Sequence, residues 1–218
     1  MEDRGFEITE GVIPAGDVGA LLEALPPSKR GRAGARHLMS DPAVRSFARR
    51  EALMAIARRH VGPGAVPYRA TLFEKSGRSN WLVVWHQDTT LPLATRSEDS
   101  EWGPWSVKDG IPYAHAPSWA LKTIVALRIH LDASTPRNGP LRVLPGSHRG
   151  GVLTDDDVFR RTKAGAVDCL VGRGGVLAMR PLLIHASSKA EGPEPRRVLH
   201  VEYAASLDLG DRLRLAEA

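Results

Sequence analysis

In Trp85-His86-Gln87-Asp88 an imidazole and a carboxylate stand two residues apart, and an extended chain turns both to one side because its side chains alternate with a period of two. On that reading Leu82, Val84, His86 and Asp88 share one strand face. A neutral imidazole nitrogen and a carboxylate oxygen are two of the three ligands in the 2-His-1-carboxylate triad that holds non-haem Fe(II). The pair alone fits equally a strand-end histidine hydrogen-bonded to a carboxylate. His185 lies in the apolar run Arg180-Pro181-Leu182-Leu183-Ile184-His185-Ala186-Ser187, behind the glycine-rich turn Gly172-Arg173-Gly174-Gly175. It is either the third ligand or a buried histidine with its hydrogen bonds satisfied. Eleven residues further on, Arg196 opens a run in which Arg196, Val198, His200 and Glu202 share one face, and Arg197, Leu199, Val201 and Tyr203 the other.

The elements that must carry these residues are two helices followed by strands. Val18, Leu21, Leu22 and Leu25 recur at helical spacing between Asp17 as N-cap and the stop Pro26-Pro27. A second helix is predicted from Ser40-Asp41-Pro42 through Val44, Phe47, Leu53 and Ile56 to Gly62-Pro63-Gly64. Strands are predicted over 68–75, 81–88, 121–132, 141–144, 175–180, 182–187 and 196–204, between Gly, Pro, Asn and Asp clusters. In the third of these, Leu121, Thr123, Val125, Leu127, Ile129 and Leu131 oppose Lys122, Ile124, Ala126, Arg128 and His130. The polar faces either meet solvent, the reading preferred for Lys122, or line a wet cavity between two sheets. The fold class expected is mainly β with flanking α: a jelly roll, or double-stranded β-helix, with N-terminal helices laid on one sheet. It forms a single domain over 1–218, helical to about 65 and jelly roll over about 66–206.

Residues 89–118 match neither period, and structureless stretches of that length are commonly lids. All five tryptophans, Trp81, Trp85, Trp102, Trp105 and Trp119, fall in or beside it, as does Tyr113, which makes it a loop with apolar area to cover something. Composition narrows the alternatives. No apolar run is long enough to span a bilayer, and Met1-Glu2-Asp3-Arg4 lacks the pattern of a secretory signal. A single cysteine, Cys169, excludes an intramolecular disulfide and a thiolate cage, so a cytoplasmic protein is expected. The net charge of +5 raises nucleic acid as a partner. Yet Lys29-Arg30-Gly31-Arg32 and Arg58-Arg59-His60 are short clusters without interleaved aromatics, so neither a nucleic acid nor a membrane is expected as partner.

Four segments in order resemble the phytanoyl-CoA dioxygenase family of Fe(II)- and 2-oxoglutarate-dependent oxygenases: Trp85-His86-Gln87-Asp88, then Asn138-Gly139-Pro140-Leu141-Arg142-Val143-Leu144-Pro145-Gly146-Ser147-His148, then Leu183-Ile184-His185-Ala186-Ser187, then Arg196. The resemblance implies that His86, Asp88 and His185 bind iron, that Arg196 pairs with the distal carboxylate of 2-oxoglutarate, and that Ser187 hydrogen-bonds the same region. A guanidinium suits that role because its fork matches a carboxylate and keeps its charge. It also places Arg196 on the cavity side, with Arg197 pointing away, and makes 138–148 a turn and barrel edge in which His148 has no metal role. The implied reaction uses Fe(II), 2-oxoglutarate and O2, releases succinate and CO2, and hydroxylates or otherwise oxidises a small polar or anionic metabolite. Related halogenating enzymes lack the carboxylate at Asp88, so its presence favours hydroxylation or desaturation. Arg128 stands where the family often has tryptophan, which points to a contact with an anionic group of the substrate. Trp102, Trp105 and Tyr113 are candidate lid contacts. The alternatives on the same fold are a cupin-like, non-oxidative metal enzyme and a non-catalytic binding protein.

Overall fold

The computed structural model describes residues 1–26, 34–76, 79–163, 165–210 and 213–218; the basic cluster Lys29-Arg30-Gly31-Arg32 and the predicted stop at Pro27 lie outside them. The chain runs through β1 (Phe6–Thr9), α1 (Ala15–Ala24), β2 (Gly34–Ala35), α2 (Pro42–Ala48), α3 (Glu51–Val61), β3 (Val66–Lys75) and β4 (Val83–His86). There follow β5 (Thr90–Pro92), β6 (Trp105–Lys108), β7 (Ile111–His115), α4 (Ser118–Lys122), β8 (Ile124–His130) and β9 (Leu141–Val143). The remainder is α5 (Asp155–Arg161), β10 (Val167–Cys169), β11 (Val176–Met179), β12 (His185–Ser187), β13 (Arg196–Ala204) and the small pair β14 (Asp208–Gly210) and β15 (Leu213–Arg214).

Two antiparallel sheets make the jelly roll, one ordered β1-β11-β8-β13-β3-β2 and the other β10-β9-β12-β4. Alternation on the larger sheet sorts its residues by chemistry. Its outer face gives Ala70, Leu72, Val125, Leu127, Ile129, Leu199, Val201 and Tyr203 to one core shared with Val18, Leu21, Val44, Phe47, Leu53 and Ile56 of the helices. Its inner face carries Arg69, Thr71, Phe73 and Lys75 on β3, Arg128 on β8, and Arg196, His200 and Glu202 on β13, all around one cavity. Between the sheets, the end near β1 and β10 is filled by Phe6, Ala126, Leu141, Val143, Cys169, Leu177 and Met179. Burial pushes the Cys169 thiol up to about 12, so it is a neutral packing group there.

The helices and the 89–118 segment depart from expectation. The first helix begins at Pro14–Ala15 with no side-chain cap, and Asp17 instead pairs with Arg50. The long second helix is two, α2 and α3, broken at Arg49-Arg50 although neither Gly nor Pro stands there. The break is tertiary: the Tyr203 hydroxyl of β13 donates to the Ala48 carbonyl at 2.7 Å, and Arg50 turns extended to meet Asp17. The start at Asp41 holds, its carboxylate accepting from the Ala43 and Val44 amides beside Pro42 at the first turn. Residues 89–118 are not structureless, because β5, β7 and β6 form a three-stranded antiparallel sheet of their own. The predicted strand over 121–132 starts only at Ile124; the residues before it form α4, which leaves Lys122 exposed.

Candidate active site

A cavity of about 120 Å³ lies between the sheets, and His86, Asp88 and His185 line one side of it. His86 on β4 pairs directly across from His185 on β12, with ring centroids 4.2 Å apart. The pairing then slips: Ser187 faces Val83, so β4 has one extra residue over this stretch. That bulge breaks strict alternation, and it corrects the shared face expected for Leu82, Val84, His86 and Asp88. Val83 and His86 line the cavity, whereas Leu82 and Val84 are 58% and 67% exposed. Asp88 lies beyond the strand end, where its amide donates to the Pro181 carbonyl at 2.9 Å. Gln87 clamps this turn by donating to the Gly151 and Leu182 carbonyls and accepting from the Leu153 amide.

The result is one carboxylate between two imidazoles. Asp88 Oδ1 is 3.7 Å from His86 Nε2, and Oδ2 is 3.6 Å from His185 Nε2. Each histidine turns Nδ1 to a carbonyl oxygen, Val84 at 2.8 Å and Leu183 at 2.9 Å. A carbonyl only accepts, so Nδ1 carries the proton and Nε2 keeps a free lone pair. Burial holds the His185 ring neutral, its pKa lowered to about 4 against the pull of Asp88. Burial works against the Asp88 carboxylate, but His185 and His86 bring it down to about 2. Two imidazole nitrogens and an ionised carboxylate, with one ligand atom each inside a 4.8 Å set, are the donors a divalent first-row metal takes.

The closed end of the cavity is cationic. Arg196 and Lys75 are cross-strand partners on β13 and β3, only 4% and 1% exposed, and Arg128 is buried beside them. Arg196 Nε and Nη1 and Arg128 Nε have no hydrogen-bond partner among the described residues. Burial and Arg128 push the Arg196 guanidinium down to about 9, and burial with Arg196 and Arg128 pushes the Lys75 ammonium down to about 7. Lys75 Nζ reaches the Ser187 hydroxyl at 2.8 Å and donates to the Ser188 carbonyl. Gly139, at φ +67, is what lets that carbonyl approach, since a Cβ there would lie 2.4 Å from Ser188 O. Buried cations left without carboxylates are costly, and an anion entering this end would relieve them.

At the end lined by His86 and Asp88 the cavity opens, these side chains being 37% and 34% exposed. Glu202 there accepts from Tyr68 at 2.6 Å and from Arg69 at 3.2 Å. Tyr68 is skipped in the β3–β13 pairing, a second bulge that turns its hydroxyl onto Glu202. Arg128 Nη1 lies 3.2 Å from His200 Nδ1; a guanidinium only donates, so His200 carries its proton on Nε2, which donates to the Glu202 carboxylate at 3.2 Å.

His86, Asp88, His185, Ser187, Arg196 and Arg128 thus surround one cavity. Arg128 faces inward, next to His200. Arg197 points away and pairs with Asp132 at 2.7 Å. Tyr113 does not line the cavity: it is buried, hydrogen-bonded to His37 and packed beside Arg69. Trp102 and Trp105 do not line the cavity: Trp102 packs in a separate core against Trp119, and Trp105 lies under Arg96. Their apolar area is taken up by a core that β5 and β7 share with α4, β8 and the C-terminal residues Leu213 and Leu215. His148 lies outside, its Nε2 on the Glu2 carbonyl. Lys75 and Arg69 were not singled out from sequence, although alternation of Arg69, Thr71, Phe73 and Lys75 against Ala70 and Leu72 carries the signal.

His130 shares the inner face, 1% exposed, with Nδ1 on the Ser134 hydroxyl and Nε2 unpartnered among the described residues. Burial, then Arg128 and Arg196, lower its pKa to about 3 from the usual 6.5. The unfolded chain therefore binds a proton that the folded one refuses, so stability falls as pH drops from 6.5 towards 3. The expected loss from His130 alone is about 2 kcal/mol by pH 5. Urea unfolding of the metal-free protein at pH 7.5 and pH 5 reads it together with the like contribution of His185, and His130→Gln should reduce the difference by about 2 kcal/mol; an unchanged difference would refute the assignment.

The profile of the phytanoyl-CoA dioxygenase (PhyH) family matches residues 2–198. L-proline trans-4-hydroxylase of Streptomyces griseoviridis is 24% identical over 190 residues, covering 75% of this chain and 63% of that protein. Ectoine dioxygenase of Sphingopyxis alaskensis is 29% identical over 109 residues, covering 50% of this chain and 29% of that protein. The chain therefore spans less than two thirds of the length of either relative. The crystal structure of EctD from S. alaskensis with 2-oxoglutarate and 5-hydroxyectoine superposes with a TM-score of 0.69 at 22% identity, over 93% of this chain and 72% of that one. At that identity the likeness is one of fold.

Proposed function

Because this chain belongs to the phytanoyl-CoA dioxygenase family, we propose that it is an Fe(II)- and 2-oxoglutarate-dependent dioxygenase that hydroxylates, or otherwise oxidises, a small polar or anionic metabolite. The single observation that carries this reading is the pairing, in one cavity, of a His-Asp-His cluster with a buried arginine whose donors have no partner among the described residues.

Both groups fit the residues present. His86, Asp88 and His185 would hold the iron through Nε2, a carboxylate oxygen and Nε2, with both ring tautomers set by backbone carbonyls. Arg196, Lys75 and Ser187 would receive the distal carboxylate of 2-oxoglutarate at the closed end, where it would satisfy Arg196 Nε and Nη1. When bound, iron and 2-oxoglutarate supply oxidation of a C–H bond by O2 with release of succinate and CO2. The chain's own part is placement: the cationic end fixes the cosubstrate, the bulge in β4 brings His86 opposite His185, and the dry packing beyond Leu141 and Val143 closes the cavity from behind. Asp88, which halogenating relatives lack, favours hydroxylation or desaturation. A non-oxidative, cupin-like metal enzyme needs the His-Asp-His cluster but has no use for the cationic end. A binding protein needs neither.

Among the described residues no helix is long and apolar enough to cross a membrane. The test of the reading is an anaerobic titration of the metal-free protein with Fe(II) and then 2-oxoglutarate, following the visible charge-transfer band of the chelate. The band is expected. Iron binding without it would favour the non-oxidative alternative, and no iron binding at all would refute the oxygenase reading.

A further inference from the structure

Three cations gather about Tyr113 and the segment after β2; of them Arg69 lines the cavity, while Arg36 lines the groove that adjoins it at Thr71, Phe73 and Trp81. Arg69 projects from β3 with its guanidinium 5.3 Å from the centroid of the Tyr113 ring, and Lys108, the last residue of β6, places Nζ 4.5 Å from the same centroid. Arg36 follows β2, which pairs with β3 beside Phe73 and Leu72. The carboxylates nearby are engaged. Glu202 is taken by Tyr68, Arg69 and His200, and Asp109 lies 3.3 Å from His37 Nδ1. Neither Lys108 nor Arg36 has an ion-pair partner among the described residues, and Arg69 uses only Nη1 in its hydrogen bonds, to Glu202 and the Thr90 carbonyl. Partial burial, then Arg69 and Arg36, hold the Lys108 ammonium below its usual range, while Asp88 and Glu202 pull it back up.

The backbone fixes Lys108 in that place. His37 and Asp109 are the non-glycine residues at positive φ among those described, 55° and 49°, and they touch each other. His37 also reaches the Tyr113 hydroxyl at 2.9 Å. The tip of the β6–β7 hairpin is thus fastened to the segment after β2 at the residue next to Lys108, by two residues in a conformation that has to be stabilised by its surroundings.

We propose that Lys108 and Arg69, with Arg36 at the rim, form a clamp for a carboxylate of the substrate, which holds the bond to be oxidised against the His86, Asp88 and His185 side of the cavity. The inference rests on the oxygenase reading for the identity of the anion as substrate. The clamp itself needs neither metal nor cosubstrate. It assigns recognition of the substrate anion to the hairpin, not to Arg128, whose buried place beside His200 lies deeper in the cavity.

The test uses trifluoroacetate as the carboxylate probe and trifluoroacetamide as its neutral match, followed by fluorine NMR line broadening. The protein is loaded with Mn(II) and 2-oxoglutarate, so that the inner cationic end is filled. Trifluoroacetate should broaden and the amide should not; Lys108→Gln should weaken trifluoroacetate binding about tenfold, and Lys108→Arg should restore it. Equal broadening by acid and amide, no broadening by either, or no change in Lys108→Gln would overturn the clamp. Failure to load Mn(II) and 2-oxoglutarate, seen separately by calorimetry, would instead count against the oxygenase reading. In that case the Lys108-dependent part of trifluoroacetate binding to the metal-free protein still decides for or against the clamp.

Discussion

Arg196→Met is expected to abolish 2-oxoglutarate binding and, in the same protein, to raise the melting temperature measured without ligands. The two effects have one cause. Arg196 is 4% exposed, is flanked by the Lys75 and Arg128 cations, and has Nε and Nη1 unpartnered among the described residues. A buried guanidinium that lacks its anion costs stability, and an unbranched apolar side chain of similar length removes the cost without opening a large void. A gain of about 1–3 kcal/mol follows, and a chain of this size moves by about 2–4 °C for each of those. Cosubstrate binding goes the other way. Two charge-assisted hydrogen bonds to one carboxylate, each about 1.5–3 kcal/mol, correspond to a loss of at least about 100-fold in affinity. Calorimetric titration with 2-oxoglutarate and thermal unfolding of the ligand-free variant read the two halves independently. A variant that melts lower and still binds 2-oxoglutarate would make Arg196 a structural residue and remove the main support for the cosubstrate site.

That trade was legible from sequence only in part. The run from Arg196 to Ala204 alternates strictly, so its bounds, its two faces and the inward turn of Arg196, His200 and Glu202 follow from a period of two, and β13 spans those residues. The same rule misplaces Leu82 and Val84, because the extra residue in β4 is demanded by its neighbour β12 and leaves no mark in local composition. The break at Arg49-Arg50 is similar, set by Tyr203 and Asp17 from far along the chain. Residues 89–118 failed for another reason. Their strands are three to five residues long and interrupted by Pro92, Pro104 and Pro112, too short to display a period, and they pair with one another instead of with the main sheets. Lys75 and Arg69 show where pattern needs topology: which face of β3 looks into the cavity is decided by the sheet that covers it, and only then does an alternating lysine and arginine become part of a site.

Asp88→Ala should leave the fold intact and remove the metal. What holds residues 86–88 in place is not the carboxylate. The Asp88 amide bonds Pro181, Gln87 ties three backbone groups, and the strand pairing of His86 with His185 survives the substitution, so melting is expected to shift by no more than about 2–4 °C. The carboxylate alone lies between the two Nε2 atoms, and without it two imidazoles remain with no anionic donor to offset a divalent charge. Loss of an outer-shell partner costs 10- to 100-fold in metal affinity, and a direct ligand should cost more, so Fe(II) binding is expected to weaken by well over about 100-fold and succinate release to vanish with it. Anaerobic dialysis against Fe(II), with metal content and unfolding measured on the same sample, separates this from misfolding. A folded variant that retains iron and turns over 2-oxoglutarate would show that the chemistry lies elsewhere. Loss of iron with retained succinate release would show the same, because the His86, Asp88 and His185 cluster lies in the same cavity as the cationic end that is proposed to hold 2-oxoglutarate.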